Sequence, residues 1–413
     1  MLERPMISVE EARNNILNAV GPGGSETVSL KDALGRFLAG DIIAPHDVPP
    51  FANSQMDGYA VKFADVENAS KENPAALEIQ GEIPAGYAPT EKLKSGHAFR
   101  IMTGAVMPGG GADTVVKVED TEESDNEVKI FETWPKHTYV SEAGEDIAAG
   151  STPLEKGQRI GPARLGLLAA IGISEVKVAV KPKVAVLSTG DELVEVDEPL
   201  TPGKIRNTNS YILSALVARA GGEPVDCGVA RDTLEETREK LAAALETADV
   251  IITSGAISVG KYDYLLAALK ELDAEFLHTS IAMRPGKPNT FALVKGKPLF
   301  AVPGNPVSAM VAFVQFIRPA LRKMLGAREL LPPTVEAVLE ENISTPENLE
   351  CYWRGVAEFR NGRYHVRTTG HQGSHVLQSM ASAGALIMVP AGKSAVAKGE
   401  TVRVQLLGIE ETF

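Results

Sequence analysis

The sequence predicts a multidomain α/β protein built around a doubly wound parallel sheet, with mostly β segments on either side. Three observations carry that expectation. Between residues 182 and 325, apolar strand-like runs alternate with helix-like runs, the pattern of a parallel sheet covered on both faces. Before it, residues 58–140 hold short strand-like segments separated by Gly, Pro and acidic turns. After the LLPPT stretch at 330–334 the chain returns to short strands.

From the N-terminus, Ser8 to Val20 reads as a helix, with Ser8 as cap and Glu11 three residues on, the capping-box spacing. A second short helix is expected at Leu30–Ala39, and the prolines of PHDVPPFANS then break regular structure. LEIQGEI, HAFRI, DTVVKVED and VKIFETW read as strands, and Arg164–Ile171 as a helix. In the α/β region KVAVLS, PVDCGVA, DVIITS, AEFLHTSIA and NTFALVKGKPLFAVPG read as strands, the last with a tight turn at Gly296. Helices are expected at Asn209–Ala220, Thr233–Glu246, Tyr262–Leu272 and Pro306–Leu325. In the last segment Asn361-Gly362 is a hairpin signal, and ALIMVP and TVRVQLL close a small β domain.

The bulk numbers suit this architecture. The 413 residues are 44% hydrophobic and 23% charged, enough for several packed cores. A net charge of −13 argues against a nucleic-acid partner, because counterion release needs a basic face, yet leaves room for small anionic ligands bound by local charge. The two cysteines, Cys227 and Cys351, form neither a metal spacing nor a disulfide framework, which suits a cytoplasmic location. The charged start MLERPMISVEEARNNIL has no apolar signal-peptide core, and no run reaches the roughly 18 apolar residues of a membrane span. No membrane is therefore expected as a partner.

The stretch VIITSGAISVGKYDYL raises a chemical question. Gly255-x4-Gly260-Lys261 nearly matches a P-loop, but Tyr262 stands where a short hydroxyl must hold Mg²⁺. A different anion site explains more. Polar clusters follow every expected strand of the α/β region: Thr189-Gly190-Asp191-Glu192, Arg231-Asp232, Gly255 with Ser258, Gly260 and Asp263, Arg284 with Lys287, and Pro303-Gly304-Asn305. Open parallel sheets bind ligands outside those carboxyl ends. Glycines there let amides approach an anion, and acids beside it make sense if Mg²⁺ bridges carboxylates and phosphates. Taken singly, each has a plainer reading. Asp232 and Glu235 have capping-box spacing, Glu192 and Asp263 suit first helical turns, Lys261 suits a solvated loop, and Gly286 and Gly304 suit turns. Their convergence on one sheet edge favours a site.

Two stretches outside that region also look chemical: Gln55-Met56-Asp57-Gly58-Tyr59-Ala60, and Arg100-Ile101-Met102-Thr103-Gly104-Ala105 before Gly109, Gly110 and Gly111. Either also reads as an ordinary turn. His371 and His375 are four apart, but Gln372 and Gly373 between them do not make a metalloprotease zinc helix.

PPFANSQMDGYAV, RIMTGAVMPGGGADTVV, AGEDIAAG, LSTGDEL, TSGAISVGKYDY, MRPGKP, VPGNPVSA and TGHQGSHVLQSMASA occur in that order. The chain therefore resembles the molybdopterin molybdenumtransferase family, MoeA, itself similar to the E domain of gephyrin, from about residue 7 to about residue 410. The resemblance implies four parts: a helical linker domain from residues 1–45 and 141–180, an inserted mostly β domain at 46–140, a molybdopterin-binding-type α/β domain at 181–328, and a C-terminal β-barrel-like domain at 329–413. It implies an elongated homodimer whose cleft lies between the α/β domain of one subunit and the inserted domain of the other. The implied reaction inserts molybdenum from molybdate into adenylylated molybdopterin, with Mg²⁺ as helper and AMP released.

By motif, catalytic roles fall to Asp57, Thr103, Asp232, Asp263 and Lys287, and metal ligation to Glu192, Asp232 and Asp263. Substrate binding falls to Thr189, Gly190, Ser254, Gly255, Ser258, Gly260, Arg284, Pro303, Asn305 and Ser308. The implied partners are pterin and molybdate as small molecules, a second copy of the chain, and the upstream molybdopterin-adenylylating protein. The sequence departs from the family pattern at Ala52, Gln55 and Ala256, the last in place of a glycine. A scaffold protein on the same fold is the rival expectation, and the acids at 57, 192, 232 and 263 favour the enzyme, since a scaffold needs none of them.

Overall fold

The computed structural model describes residues 6–132, 134–255 and 264–408. Backbone contacts divide the chain into two compact units: Met1–Gly40, Lys156–Ala163 and Glu175–Phe413 form one, Asp41–Glu155 and Arg164–Ser174 the other.

Helix α1, Val9–Ala19, starts where expected: the Ser8 hydroxyl accepts the Glu11 N–H at 3.0 Å, satisfying one of the orphan donors of the first turn. Val9, Ala12 and Ile16 are its buried stripe, and they join the core beneath the α/β sheet. The helix expected at Leu30–Ala39 does not form; only the 3₁₀ turn Leu30–Asp32 is present. Gly35 has φ 78°, outside the right-handed helical region. Beyond it Leu38 N–H donates to Gln158 O and Ala39 N–H to Lys177 O, so the backbone is committed to neighbouring segments rather than to itself.

The second unit is built on a six-stranded curled sheet. Its strands are β1 (Gly58–Val61), β2 (Ala75–Ile83), β3 (His97–Ile101), β4 (Thr114–Lys117), β5 (Thr121–Ser124) and β6 (Glu127–Ile130). They lie in the order β4-β1-β3-β2-β6-β5. Both faces are covered: Tyr59 and Val61 of β1 point into one core, Ala60 into the other, as a period of two requires. Gly58 is needed at the head of β1, because a Cβ there would overlap the Val116 carbonyl and stand 3.0 Å from Lys117 Cα. Helix α2, Pro162–Ala170, follows.

The α/β sheet comprises β7 (Lys183–Thr189), β8 (Glu223–Ala230), β9 (Val250–Ser254), β10 (Glu275–Ser280), β11 (Pro288–Val294) and β12 (Lys297–Val302). Their order is β8-β7-β9-β12-β11-β10. Helices α3 (Thr208–Ala220), α4 (Leu234–Thr247), α5 (Tyr264–Glu271), α6 (Pro306–Ala312) and α7 (Arg318–Met324) complete the domain. Val184, Val186, Ile252, Phe300 and Val302 face α1, α3, α6 and α7, while Ala185, Leu187, Ile251 and Leu299 face α4 and α5. The sheet is doubly wound, as expected, but not wholly parallel. β7, β8, β9 and β12 run parallel, whereas β11 is antiparallel to both β12 and β10. The two-residue turn at Lys295-Gly296 dictates this, since a parallel pair needs a long crossover. Because β10 again shares the direction of β12, its carboxyl end falls on the same edge as the others.

The run expected as one helix from Pro306 to Leu325 contains a π turn, Phe313–Ile317, between α6 and α7. Gln315, fully buried, sits in it. Its carbonyl accepts from Arg13 Nε at 3.3 Å, its Oε1 from Arg13 NH2 at 3.1 Å, and its amide donates to Gln405 Oε1 at 2.6 Å. A wider turn leaves a main-chain carbonyl free for such a partner.

Strands β13 (Thr334–Leu339), β14 (Glu350–Arg360), β15 (Arg363–Thr368), β16 (Ala385–Val389) and β17 (Thr401–Leu406) follow. They pair in the ring β14-β15-β13-β17-β16-β14, a closed five-stranded barrel that leaves no free edge among them. Asn361 and Gly362, at φ 51° and 79°, make the expected two-residue hairpin between β14 and β15. A short strand, Met283–Arg284, leaves the α/β domain to pair in parallel with the start of β14 at Glu350 and Cys351.

Candidate active site

The carboxyl edge of the α/β sheet is closely built. Gly190, just past β7, has φ 146°, and a Cβ there would overlap the Glu192 carboxylate. Gly255, just past β9, has φ 106°, and a Cβ would stand 2.7 Å from Thr189 Oγ1 and overlap the Thr189 carbonyl. Only glycine lets these two strand ends approach so closely. Asn209, in the first turn of α3, ties the edge together: its amide nitrogen donates to Ser254 Oγ at 2.6 Å and to Gly304 O at 2.8 Å.

The acids beside it are held in place. Asp191 N–H donates to Asp232 Oδ2 at 3.3 Å, and Asp232 N–H donates back to Asp191 Oδ1 at 3.2 Å. The capping role that its spacing suggested for Asp232 belongs instead to Thr233, whose hydroxyl accepts the Glu236 N–H at 3.3 Å. Asp232 is therefore left out of the helix and turned into the cleft. That cleft, about 740 Å³, is lined by Glu192, Asp232, Thr189, Gly190, Ser254, Gly255 and Asn305 among others. Ser258, Gly260 and Asp263, like Lys261 and Tyr262 of the near P-loop, lie outside the described residues.

A second cavity of about 480 Å³ opens beside the first and shares Asn305 and His375 with it. Arg284, Lys287, Pro303 and Ser308 line it. The loop bearing Arg284 and Lys287 is closed by Ile281 N–H donating to Lys287 O at 3.0 Å. The residue that sequence reasoning missed is Arg354, in the middle of barrel strand β14. It lines this cavity yet is only 1% exposed. Its NH2 donates to His371 O at 3.2 Å and Gly373 O at 3.1 Å, and its Nε to Ser379 Oγ at 3.2 Å. Burial pulls its pKa down, and among the described residues no carboxylate pairs with it. A buried guanidinium with only neutral partners is expensive, and an anion in the cavity would offset that cost. Ser374 completes the wall: its hydroxyl accepts from Asn305 Nδ2 at 3.1 Å, and its carbonyl takes the Val307 N–H of α6 at 3.2 Å.

In the other unit, Asp57 and Thr103 meet although 46 residues apart. Thr103 N–H and Oγ1 both donate to Asp57 Oδ1, at 2.7 and 2.8 Å. The backbone bond first, and the hydroxyl second, hold the Asp57 carboxyl below the usual carboxylate range. Asp57 thus presents a fixed, ionised carboxylate.

A doubly wound sheet whose strand ends carry glycines and paired acids, beside a cavity walled by arginine and lysine, has the make-up of a site for phosphorylated or oxyanionic small molecules. The comparisons narrow this class. Family models match in series along the chain: the MoeA N-terminal region (domains I and II) over residues 7–172, a probable molybdopterin binding domain over 185–323, and the MoeA C-terminal region (domain IV) over 336–407. A molybdopterin molybdenumtransferase of a Nostoc species is 39% identical over 98% of this chain and 95% of its own. One from Bacillus subtilis is 37% identical over 98% and 96%. The crystal structure of a molybdopterin biosynthesis MoeA protein from Pyrococcus horikoshii OT3 superposes with a TM-score of 0.83 at 29% identity, covering 97% of this chain and 100% of that one. The chain belongs to the MoeA family.

Proposed function

We propose that the protein is a molybdopterin molybdenumtransferase, which transfers molybdenum from molybdate to adenylylated molybdopterin and releases AMP in molybdenum cofactor biosynthesis. The observation that carries this reading is the pair of adjoining cavities with opposite chemistry: one cationic and with ample room for a tetrahedral oxyanion, the other larger, glycine-lined and acidic. Molybdate takes the first, held by Arg284, Lys287 and Arg354 with Ser308 and Ser374. The adenylylated pterin takes the second, with its pyrophosphate on the strand ends at Thr189–Gly190 and Ser254–Gly255 and at the N-terminus of α3.

The residues of the larger cleft fit Mg²⁺, which usually uses one or two carboxylates together with substrate phosphates and waters. Glu192 and Asp232 would hold it, with Asp263 as a further ligand, and when bound it supplies polarisation of a phosphoryl oxygen. The chain's own groups do the rest. Lys287 and Arg284 balance negative charge as an oxygen of molybdate or of water attacks the adenylyl phosphorus and its P–O bond to the pterin phosphate breaks. In a homodimer, the Asp57–Thr103 pair of one copy completes the cleft of the other. Its fixed ionised carboxylate suits it to orient a donor or a cation rather than to release a proton. The upstream molybdopterin-adenylylating protein is the natural donor of substrate, and the cytoplasm the natural place.

The test is AMP release from adenylylated molybdopterin with molybdate and Mg²⁺. Asp57→Ala should elute and melt like the wild type yet lose turnover by roughly a hundredfold or more. Glu192→Gln should raise the Mg²⁺ needed for half-maximal rate. Wild-type rates in both variants would remove these residues from the mechanism.

A further inference from the structure

His375 stands where the two cavities meet. Among the described residues, it and Asn305 alone line both. Gly373 leaves room for its ring. A Cβ built on Gly373 would stand 2.9 Å from Cε1 of His375 and 2.8 Å from Cε1 of His371, and Gly373 itself lines the cationic cavity. Cε1 lies between the two ring nitrogens, so the polar edge of each imidazole is turned toward Gly373 and the cavity rim. The two rings are edge to face, with centroids 5.9 Å apart. They are not equivalent. His371 Nδ1 accepts the Gly373 N–H at 3.1 Å, which commits that nitrogen as an acceptor. The ring nitrogens of His375 have no hydrogen-bond partner among the described residues, and the side chain is exposed.

We propose that His375 is a specificity-determining donor for the oxyanion: as imidazolium it reaches the guest at the junction of the cavities, so that binding the dianion takes up a proton. This rests on reading the cationic cavity as the oxyanion seat. The charges around the ring set the balance. Arg284 and Lys287 from the loop before β11, and Arg354 from the barrel, line the cationic cavity beside it, and Arg206 lines the cleft on its other side. Glu192 and Asp232 line that same cleft. A dianion in the cavity reverses the local field and draws the proton on. By linkage, affinity then rises as pH falls, and each bound anion carries protons with it.

The experiment is calorimetric titration of the full-length protein with sodium molybdate between about pH 6 and about pH 8, in buffers of differing ionisation enthalpy. The wild type should bind roughly tenfold more tightly at the lower pH and take up protons on binding, as gain of one charge-assisted hydrogen bond requires. His375→Gln should flatten the pH dependence and abolish the uptake. His371→Gln should retain both, and His375→Lys should bind tightly at either pH. A His375→Gln protein that keeps the slope and the uptake overturns the proposal while leaving the oxyanion seat standing. A wild type that binds no molybdate at any pH overturns both.

Discussion

Arg354→Met separates the two jobs of the buried guanidinium. In the fold, Arg354 supplies hydrogen bonds to His371 O, Gly373 O and Ser379 Oγ. Removing them leaves two loop carbonyls and a hydroxyl short of a donor, at about 1–3 kcal/mol for each that stays dry. Removing the charge also relieves the desolvation of a guanidinium that is 1% exposed and has no carboxylate beside it among the described residues, an effective penalty of several kcal/mol. These terms oppose each other, so the net change in stability should stay within about 2 kcal/mol, a melting shift of a few degrees in a domain of this size. Oxyanion binding has no such compensation. A charge-assisted hydrogen bond is lost, worth about 1.5–3 kcal/mol, or roughly tenfold to 150-fold in Kd. Arg354→Lys should fall between, because an ammonium keeps the charge but cannot fork to two carbonyls. The assay is molybdate titration calorimetry alongside thermal unfolding. If the methionine variant bound molybdate as tightly as the wild type, the guanidinium would be a structural strut only, and the reasoning about the cationic cavity would fail.

Two further outcomes follow from local geometry. Thr103→Val should raise the Asp57 pKa toward the ordinary carboxylate range, read by NMR titration of the carboxyl carbon, because one of its two donors is gone. The sign is that of a depressed carboxylate: the stability it adds is present at neutral pH and is lost as the pH falls through its folded pKa, so the variant should lose less on acidification. An unchanged Asp57 titration would contradict the assignment of the hydroxyl bond. Gly255→Ala should destabilise the first unit by about 2–5 kcal/mol. That sum combines about 1–2 kcal/mol for a side chain in the left-handed region with about 1–3 kcal/mol for overpacking against Thr189. A melting temperature within a degree of wild type would show that the two strand ends can separate without cost.

The sequence announced most of the scaffold because apolar runs such as KVAVLS and DVIITS are short, rich in β-branched residues and bounded by turn residues, which favours strands buried on both faces. It announced the sheet edge for the same reason: once the strands are placed, the polar residues after them have nowhere else to go. What stayed hidden depends on partners distant along the chain. Arg354 lies within a strand pattern and reads like any outward cation; its burial follows from carbonyls contributed by residues 371 and 373. The segment after Gly35 has helix-forming residues, but its donors are taken by carbonyls at 158 and 177. Asp232 sits one residue before a threonine that caps equally well, and spacing alone did not distinguish them. The antiparallel turn of β11 was, by contrast, available in Lys295-Gly296, where a hairpin-sized link excludes a crossover.

The short strand Met283–Arg284 has a consequence for anyone wishing to dissect the molecule. It belongs to the loop that carries two of the cations, yet it pairs as a strand with β14, far downstream. A fragment ending before residue 334 would keep the six strands of the sheet, but it would lose Arg354, the backing of its cationic loop, and Tyr352, Met380 and Leu386 from the core that the α/β domain shares with the barrel. Such a truncation should therefore be less stable as well as poorer at holding an oxyanion, so that autonomy of folding and autonomy of chemistry fail together in this chain.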